Sequence, residues 1–308
     1  MLLLFYTGEV FDTQFLIMAT GCLSASKMPE VPGIESFRGA TYHTAHWPAE
    51  GVEFIGQRVA VIGTGSSGIQ VIPIIAQQAS ELTVFQRTPS FSIPAGNRSL
   101  TPNEVEDWKD NHQINCGALR NTFWGVLTGP LPTKSALEVT EEERNATYQK
   151  CWEKGTIAAL AGAYYDLLVN KEANDTVAEF VRAKICSIVK DPDIAEALSP
   201  RTHPFSTKRV CVDIHYYDTF NLPNVHLVDV RKTPIVEITE TGVRTGGGSN
   251  PGSMIINELS SLIMELVVIS YFVVLCMSTI LVLLQRAQKD LSNDVSYDMV
   301  DRVHIHYG

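Results

Sequence analysis

Val59-Ala60-Val61-Ile62-Gly63-Thr64-Gly65-Ser66-Ser67-Gly68 is the stretch that decides how this chain is read. Four apolar residues make a buried strand, and the G-x-G-x-x-G after them has the spacing of a turn that opens a helix. In such a turn Gly63 permits the tight bend, Gly65 lets the backbone approach a pyrophosphate, and Gly68 allows helix and strand to pack closely. The N–H groups and dipole of the helix N-terminus then favour phosphate. A helix over 66–80 is expected, kinked or cut short by Pro73, followed by a second strand over Leu82–Gln86. Arg58 to Arg87 is thus the size of a minimal βαβ half, which predicts an α/β fold with a parallel, Rossmann-like sheet. The candidate dinucleotide-binding set is Gly63, Thr64, Gly65, Ser66, Ser67, Gly68 and, in the first turns of the helix, Gln70.

The end of the second strand discriminates between nicotinamide cofactors. A site for NAD places Asp or Glu there to accept from the ribose 2′-hydroxyl. This chain has Gln86-Arg87-Thr88 instead, with Arg87 24 residues after Gly63. A guanidinium suits a 2′-phosphate and Thr88 can donate to it, so NADPH is expected over NADH.

Further out, the 308 residues carry 24 Lys and Arg against 34 Asp and Glu, a net charge of −10. That balance lacks the cationic excess of a nucleic-acid coat. Hydrophobic residues at 45% and charged ones at 19% fit a globular core. The six cysteines are scattered without a C-x-x-C, which excludes a disulfide scaffold and a redox cysteine pair and fits a reducing, cytoplasmic setting. No metal site is expected, His304 and His306 being read as part of a loose terminus.

Phe15–Ala19 reads as a short strand, and residues 100–203 as a helical insertion. Within that insertion Thr140 with Glu143 opens one helix, and Asn174 or Asp175 caps another running from Val177 to Val189. Strands return over Val225–Val230 and Ile235–Ile238, and Thr245 to Gly252 reads as a linker. Leu266 to Leu284 is 19 residues without a charge, enough to cross a bilayer core of about 30 Å as a helix. A C-terminal apolar helix within 262–284 is therefore expected, either membrane-spanning or buried, followed by a polar tail.

Phe37-Arg-Gly39-Ala-Thr-Tyr-His43-Thr-Ala-His46-Trp47-Pro48 fits F-x-G-x-x-x-H-x-x-x-W-P shortly before the glycine turn. It resembles the fingerprint of the type I Baeyer–Villiger monooxygenases, flavoenzymes that convert ketones to esters or lactones. Ala19-Thr20-Gly21, Phe85-Gln-Arg-Thr-Pro89, Thr207-Lys208-Arg209 and the run from Pro234 to Thr245 are similar to the same family, so the resemblance covers about residues 8–245. It implies that Gly63 to Gly68 hold the NADPH pyrophosphate and that Arg87, Thr88 and Lys208 surround its 2′-phosphate. Arg209 looks like the family's arginine that stabilises the anionic peroxyflavin. His43 and Trp47 match the positions that couple the two domains, and a conformational role is expected for His43 before a proton-transfer one.

The resemblance also divides the chain. Residues 1–50 would be a remnant of an FAD domain with the fingerprint loop. Residues 51–99 and 204–245 would be the NADPH-binding domain, 100–203 the helical insertion, and 246–308 the linker, apolar helix and tail. A first glycine fingerprint for FAD is missing before Phe15, and no strand returning to the FAD domain is expected after Thr245. The expected function is NADPH- and FAD-dependent Baeyer–Villiger oxidation of a small ketone with O2, in a truncated or altered chain. The alternative is a non-catalytic NADPH-binding module, tethered to a membrane through residues 262–284.

Overall fold

The computed structural model describes residues 2–4, 8–12, 26, 28–120, 131–246, 254–256 and 259–264. The chain divides into two compact units. In the first, β1 (Leu2–Leu4) and β2 (Val10–Asp12) pair antiparallel, Leu2 opposite Asp12. All elements that follow belong to the second unit, residues 27–267.

β3 (Ala40–His43) comes first and makes four residues of the fingerprint segment a strand, followed by a 3-10 turn over Thr44–His46. β4 (Arg58–Ile62), α1 (Ser66–Ala76) and β5 (Glu81–Gln86) are the expected βαβ half. α1 passes Pro73 and stops three residues later, short of Ser80. β6 (Ser92–Pro94) precedes the helical region, which comprises α2 (Pro102–Asp110), α3 (His112–Arg120), α4 (Glu141–Lys154), α5 (Ile157–Ala161), α6 (Lys171–Ile188) and α7 (Pro192–Leu198). Thr140 caps α4 as expected, its hydroxyl accepting from Glu143 N at 3.2 Å. α6 starts earlier than expected and is capped by Asn170. Asn174 cannot cap it, because its buried amide is turned inward onto the backbone of Leu167 and Phe205.

β7 (Cys211–Asp213), α8 (Tyr216–Thr219), β8 (Val225–Asp229), β9 (Ile235–Thr239), β10 (Gly242–Thr245), β11 (Met254–Ile256) and β12 (Ser261–Met264) complete the unit. The main sheet is fully parallel in the order β3-β12-β4-β5-β8. Successive side chains of a strand point to opposite faces, and both faces here are covered. Val59, Val61, Leu82 and Val84 pack under α1 and the helical region, while Ala60, Phe85 and Leu262 pack against Ile238 of β9 and Val243 of β10, which pair antiparallel in a three-stranded sheet with β11.

β12 corrects the start of the expected C-terminal apolar helix. Leu262, Ile263 and Met264, the first residues of the segment 262–284, join Ser261 in an inner strand whose four side chains are all buried. A short apolar run satisfies a two-faced parallel strand as well as a helix. The open edges of β3 and β4 supply the backbone partners that decide between them. The chain thus returns to this sheet after Thr245, where a linker and an apolar helix were expected. Among the described residues no helix is long and apolar enough to cross a membrane. The rest of the apolar segment from Glu265 onward, the polar tail with His304 and His306, the strand read at Phe15–Ala19, Thr20-Gly21 and most of the linker lie outside the described residues.

Leu262 is fully buried between β3 and β4. Leu262→Ala should cost about 2–5 kcal/mol in denaturant unfolding; a loss below about 0.5 kcal/mol, the range of surface substitutions, would contradict its place in the sheet.

Candidate functional site

The parallel sheet sets the site at the C-terminal ends of its strands. In register across it lie His43, Met264, Ile62, Phe85 and Val228, so the fingerprint histidine and the residue before the glycine turn share one row. Two strand spacings put their backbones roughly 10 Å apart. Gly39 makes the docking of β3 possible: a Cβ there would sit 2.7 Å from the Ser260 carbonyl oxygen.

Gly63 turns with φ 114°, a region closed to other residues without strain, and its N–H donates to Phe85 O at 3.0 Å. α1 begins at Ser66 with Gly65 as N-cap, so no side chain caps its N-terminus. Thr64 is buried, and its hydroxyl lies 3.5 Å from Gln86 Oε1 and 3.4 Å from Thr88 O, bracing the turn against the end of β5.

Gln86 occupies the place where an acidic ribose ligand is found in NAD sites, but it is buried and its amide donates to Ala197 O at 2.8 Å. It therefore joins β5 to the end of α7 rather than facing a cofactor. Arg87 and Gln70 are exposed, and Thr88 is half-buried. Lys208 and Arg209 are exposed on the segment before β7. Among the described residues Arg87, Lys208 and Arg209 have no carboxylate partner, whereas Arg58, Arg98, Arg201 and Arg231 each hold one.

The Lys208 segment is held from behind. Asn174 of α6 accepts from Phe205 N at 2.8 Å and donates to Phe205 O at 2.9 Å. Phe205 and His203 stack edge-on against Phe91, with the Arg182 guanidinium 5.9 Å from the Phe91 ring centre. Burial first, then the charges of Lys208 and Arg182, lowers the His203 imidazole below its ordinary pKa and favours the neutral form. Ser206 adopts φ 70°, a left-handed conformation that costs a residue with a Cβ roughly 1–2 kcal/mol. β6 and β7 pair in parallel with Ser92 opposite Cys211, so the segments carrying Arg87 and Lys208 enter the same end of one ladder.

The fingerprint residues divide. His43 is buried; its Nδ1 accepts from Ala45 N at 3.1 Å, which leaves the proton on Nε2, a buried atom without a partner among the described residues. Trp47 is packed on Tyr42 and Phe54, with ring centres 5.8 and 6.2 Å away, as an aromatic wedge behind β3. Sequence reasoning missed Gln86, Asn174 and Asp213 as organisers of the site. Gln86 was visible as a non-acidic residue at a strand end, while the other two carried no local signal. Two surface cavities, of about 720 Å³ between α4 and α6 and about 320 Å³ beside Ala197 and Asp229, are not lined by the glycine turn.

A family model described as flavin-binding monooxygenase-like matches residues 7–104. The chain is 42% identical over 243 residues to 2-oxo-Delta(3)-4,5,5-trimethylcyclopentenylacetyl-CoA monooxygenase of Pseudomonas putida, covering 77% of this chain and 44% of that protein. Identity is also 42% over 242 residues to cyclohexanone 1,2-monooxygenase of Acinetobacter sp, covering 78% of this chain and 44% of that one. Among solved structures, an oxidized steroid monooxygenase bound to NADP superimposes with a TM-score of 0.77 at 42% identity, over 85% of this chain and 48% of the other. The OTEMO complex with FAD and NADP gives a TM-score of 0.77 at 39% identity, over 84% and 48%. The chain thus spans a little under half the length of the relatives it matches.

Gln86 generates a direct test of this geometry. Gln86→Glu should turn a carboxylate onto the Ala197 carbonyl, destabilise the fold by about 1–3 kcal/mol and bring no gain in NADH affinity. Tighter NADH binding in a direct titration would show that the side chain faces the cofactor after all.

Proposed function

Because this chain is a relative of the Baeyer–Villiger monooxygenases, we propose that it serves their NADPH- and FAD-dependent conversion of ketones to esters or lactones with O2, and that its described part is the NADPH-binding portion. One observation carries the reading: exposed Arg87, without a carboxylate partner among the described residues, stands beside a glycine turn where the preceding Gln86 is buried and not acidic. The residues present fit NADPH. Gly63 has the backbone conformation of the tight turn, and no side chain caps the helix N-terminus after it.

The pyrophosphate is assigned to the backbone of Gly63, Thr64, Gly65, Ser66, Ser67 and Gly68, with Gln70 at the rim of the same helix end. Arg87, Thr88 and Lys208 are assigned to the 2′-phosphate, two cations and a hydroxyl converging from two segments. Arg209 supplies a permanent positive charge toward the reacting centre, since a guanidinium keeps its proton and stabilises developing anionic oxygen. His43 and Trp47 act as positioning residues: His43 holds the turn after β3 and Trp47 wedges it against Phe54. Hydride from NADPH and oxygen activation on FAD are chemistry the cofactors bring when bound, and the protein orients them. FAD is assigned no residue among those described, and the ketone pocket none.

Two measurements test the reading. Arg87→Ala should weaken NADPH by roughly ten- to a hundredfold, the worth of about 1.5–3 kcal/mol for a charged hydrogen bond, and leave NADH nearly unchanged; equal losses for both would remove the 2′-phosphate role. The visible absorbance of the chain, incubated with FAD and desalted, should show flavin retained near one per chain. NADPH held without any flavin would favour a non-catalytic cofactor-binding module instead.

A further inference from the structure

We propose that Asp213 is the positioning residue of the 2′-phosphate site, locking the β6–β7 ladder so that Arg87 and Thr88 on one segment and Lys208 on the other meet the same phosphate. The inference rests on the NADPH reading above. The ladder has only three residue pairs, Ser92 with Cys211, Ile93 with Val212 and Pro94 with Asp213. Arg87 lies five residues before Ser92, and Lys208 three before Cys211. A two-stranded ribbon of this length is marginal by itself. A slip of one residue would move Lys208 by roughly 3.3 Å relative to Arg87, the full length of a hydrogen bond. Something beyond the backbone pairing must fix the register.

Asp213 does so across the ladder. Its Oδ2 accepts from Ser92 Oγ at 2.5 Å and its Oδ1 from Tyr216 N at 2.9 Å, while its backbone oxygen accepts from Ala95 N at 2.7 Å. Tyr217 completes the lock, its hydroxyl oxygen accepting from Ser92 N at 3.2 Å. Ser92, Asp213 and Tyr217 are all buried, so water cannot replace these bonds. Burial pushes the Asp213 carboxyl above its ordinary range, and the bonds from Ser92 and Tyr216 work against that rise. Each strand thus reaches the phosphate site from a fixed anchor: Ser92 behind Arg87 and Thr88, Asp213 behind Lys208.

The test is the ratio of affinities of the full chain for 2′,5′-ADP and 5′-AMP, measured by titration calorimetry. Asp213→Ala should lower the preference for 2′,5′-ADP about tenfold, the worth of one lost charge-assisted contact, while 5′-AMP affinity stays within about twofold. Asp213→Asn should restore most of the preference, because its oxygen still accepts from Tyr216 N and its amide can donate to Ser92 Oγ. Should Asp213→Ala not fold, Ser92→Ala removes only the bond across the ladder and should shift the ratio the same way. A variant that folds and keeps the wild-type ratio, or loses both ligands equally, overturns the positioning role. A wild-type chain that does not distinguish the two ligands overturns the NADPH reading itself and this inference with it.

Discussion

Four residues, Ser261 to Met264, hold the second unit together by pairing in parallel with β3 on one side and β4 on the other. Every one of their side chains is buried, and their backbone groups have no water to turn to. Through this strand His43 and the glycine turn come to lie on one row of one sheet. Without it β3 would have no partner in the sheet, and β4 would expose a row of unpaired polar groups against an apolar core. The fingerprint segment is therefore tied to the strand before the glycine turn by a strand more than two hundred residues further along the chain.

Around the glycine turn and the β6–β7 ladder the polar groups fall into two kinds. Thr64, Gln86, Asn174, Ser92 and Asp213 are buried and spend their hydrogen bonds on each other or on backbone. Arg87, Lys208 and Arg209 are exposed and carry no carboxylate partner among the described residues. Satisfied buried groups give rigidity, and unpaired surface cations give attraction for an anion. The division explains how flexible side chains can be aimed: each cation is one or a few residues from a buried anchor. The left-handed Ser206, two residues before Lys208, is strain held in place by Asn174 on Phe205.

The relatives it matches are monooxygenases by name, and the chain spans somewhat less than half of their length. What its own described residues offer is a glycine turn, a helix N-terminus without a side-chain cap, and exposed cations without a carboxylate partner among the described residues.

The glycine turn, its flanking strands and Arg87 at the strand end were legible in the sequence, because spacing within thirty or so residues fixes backbone geometry locally. So was the cap at Thr140, where residue and helix start are adjacent. Asn174 was misread as a cap, since a sequence cannot show that Phe205 would approach from the other side. The segment 262–264 was misread as the start of a helix for a related reason: a run of buried apolar residues has the same composition in either form. By itself the sequence determined the glycine turn with its flanking strand and helix, and the family that the fingerprint resembles. Only the tertiary structure decided that Ser261–Met264 joins the sheet and that Gln86 is turned onto Ala197. It also decided that Asp213 bonds to Ser92 across the β6–β7 ladder, because each depends on which distant polar groups lack a partner once the chain is folded.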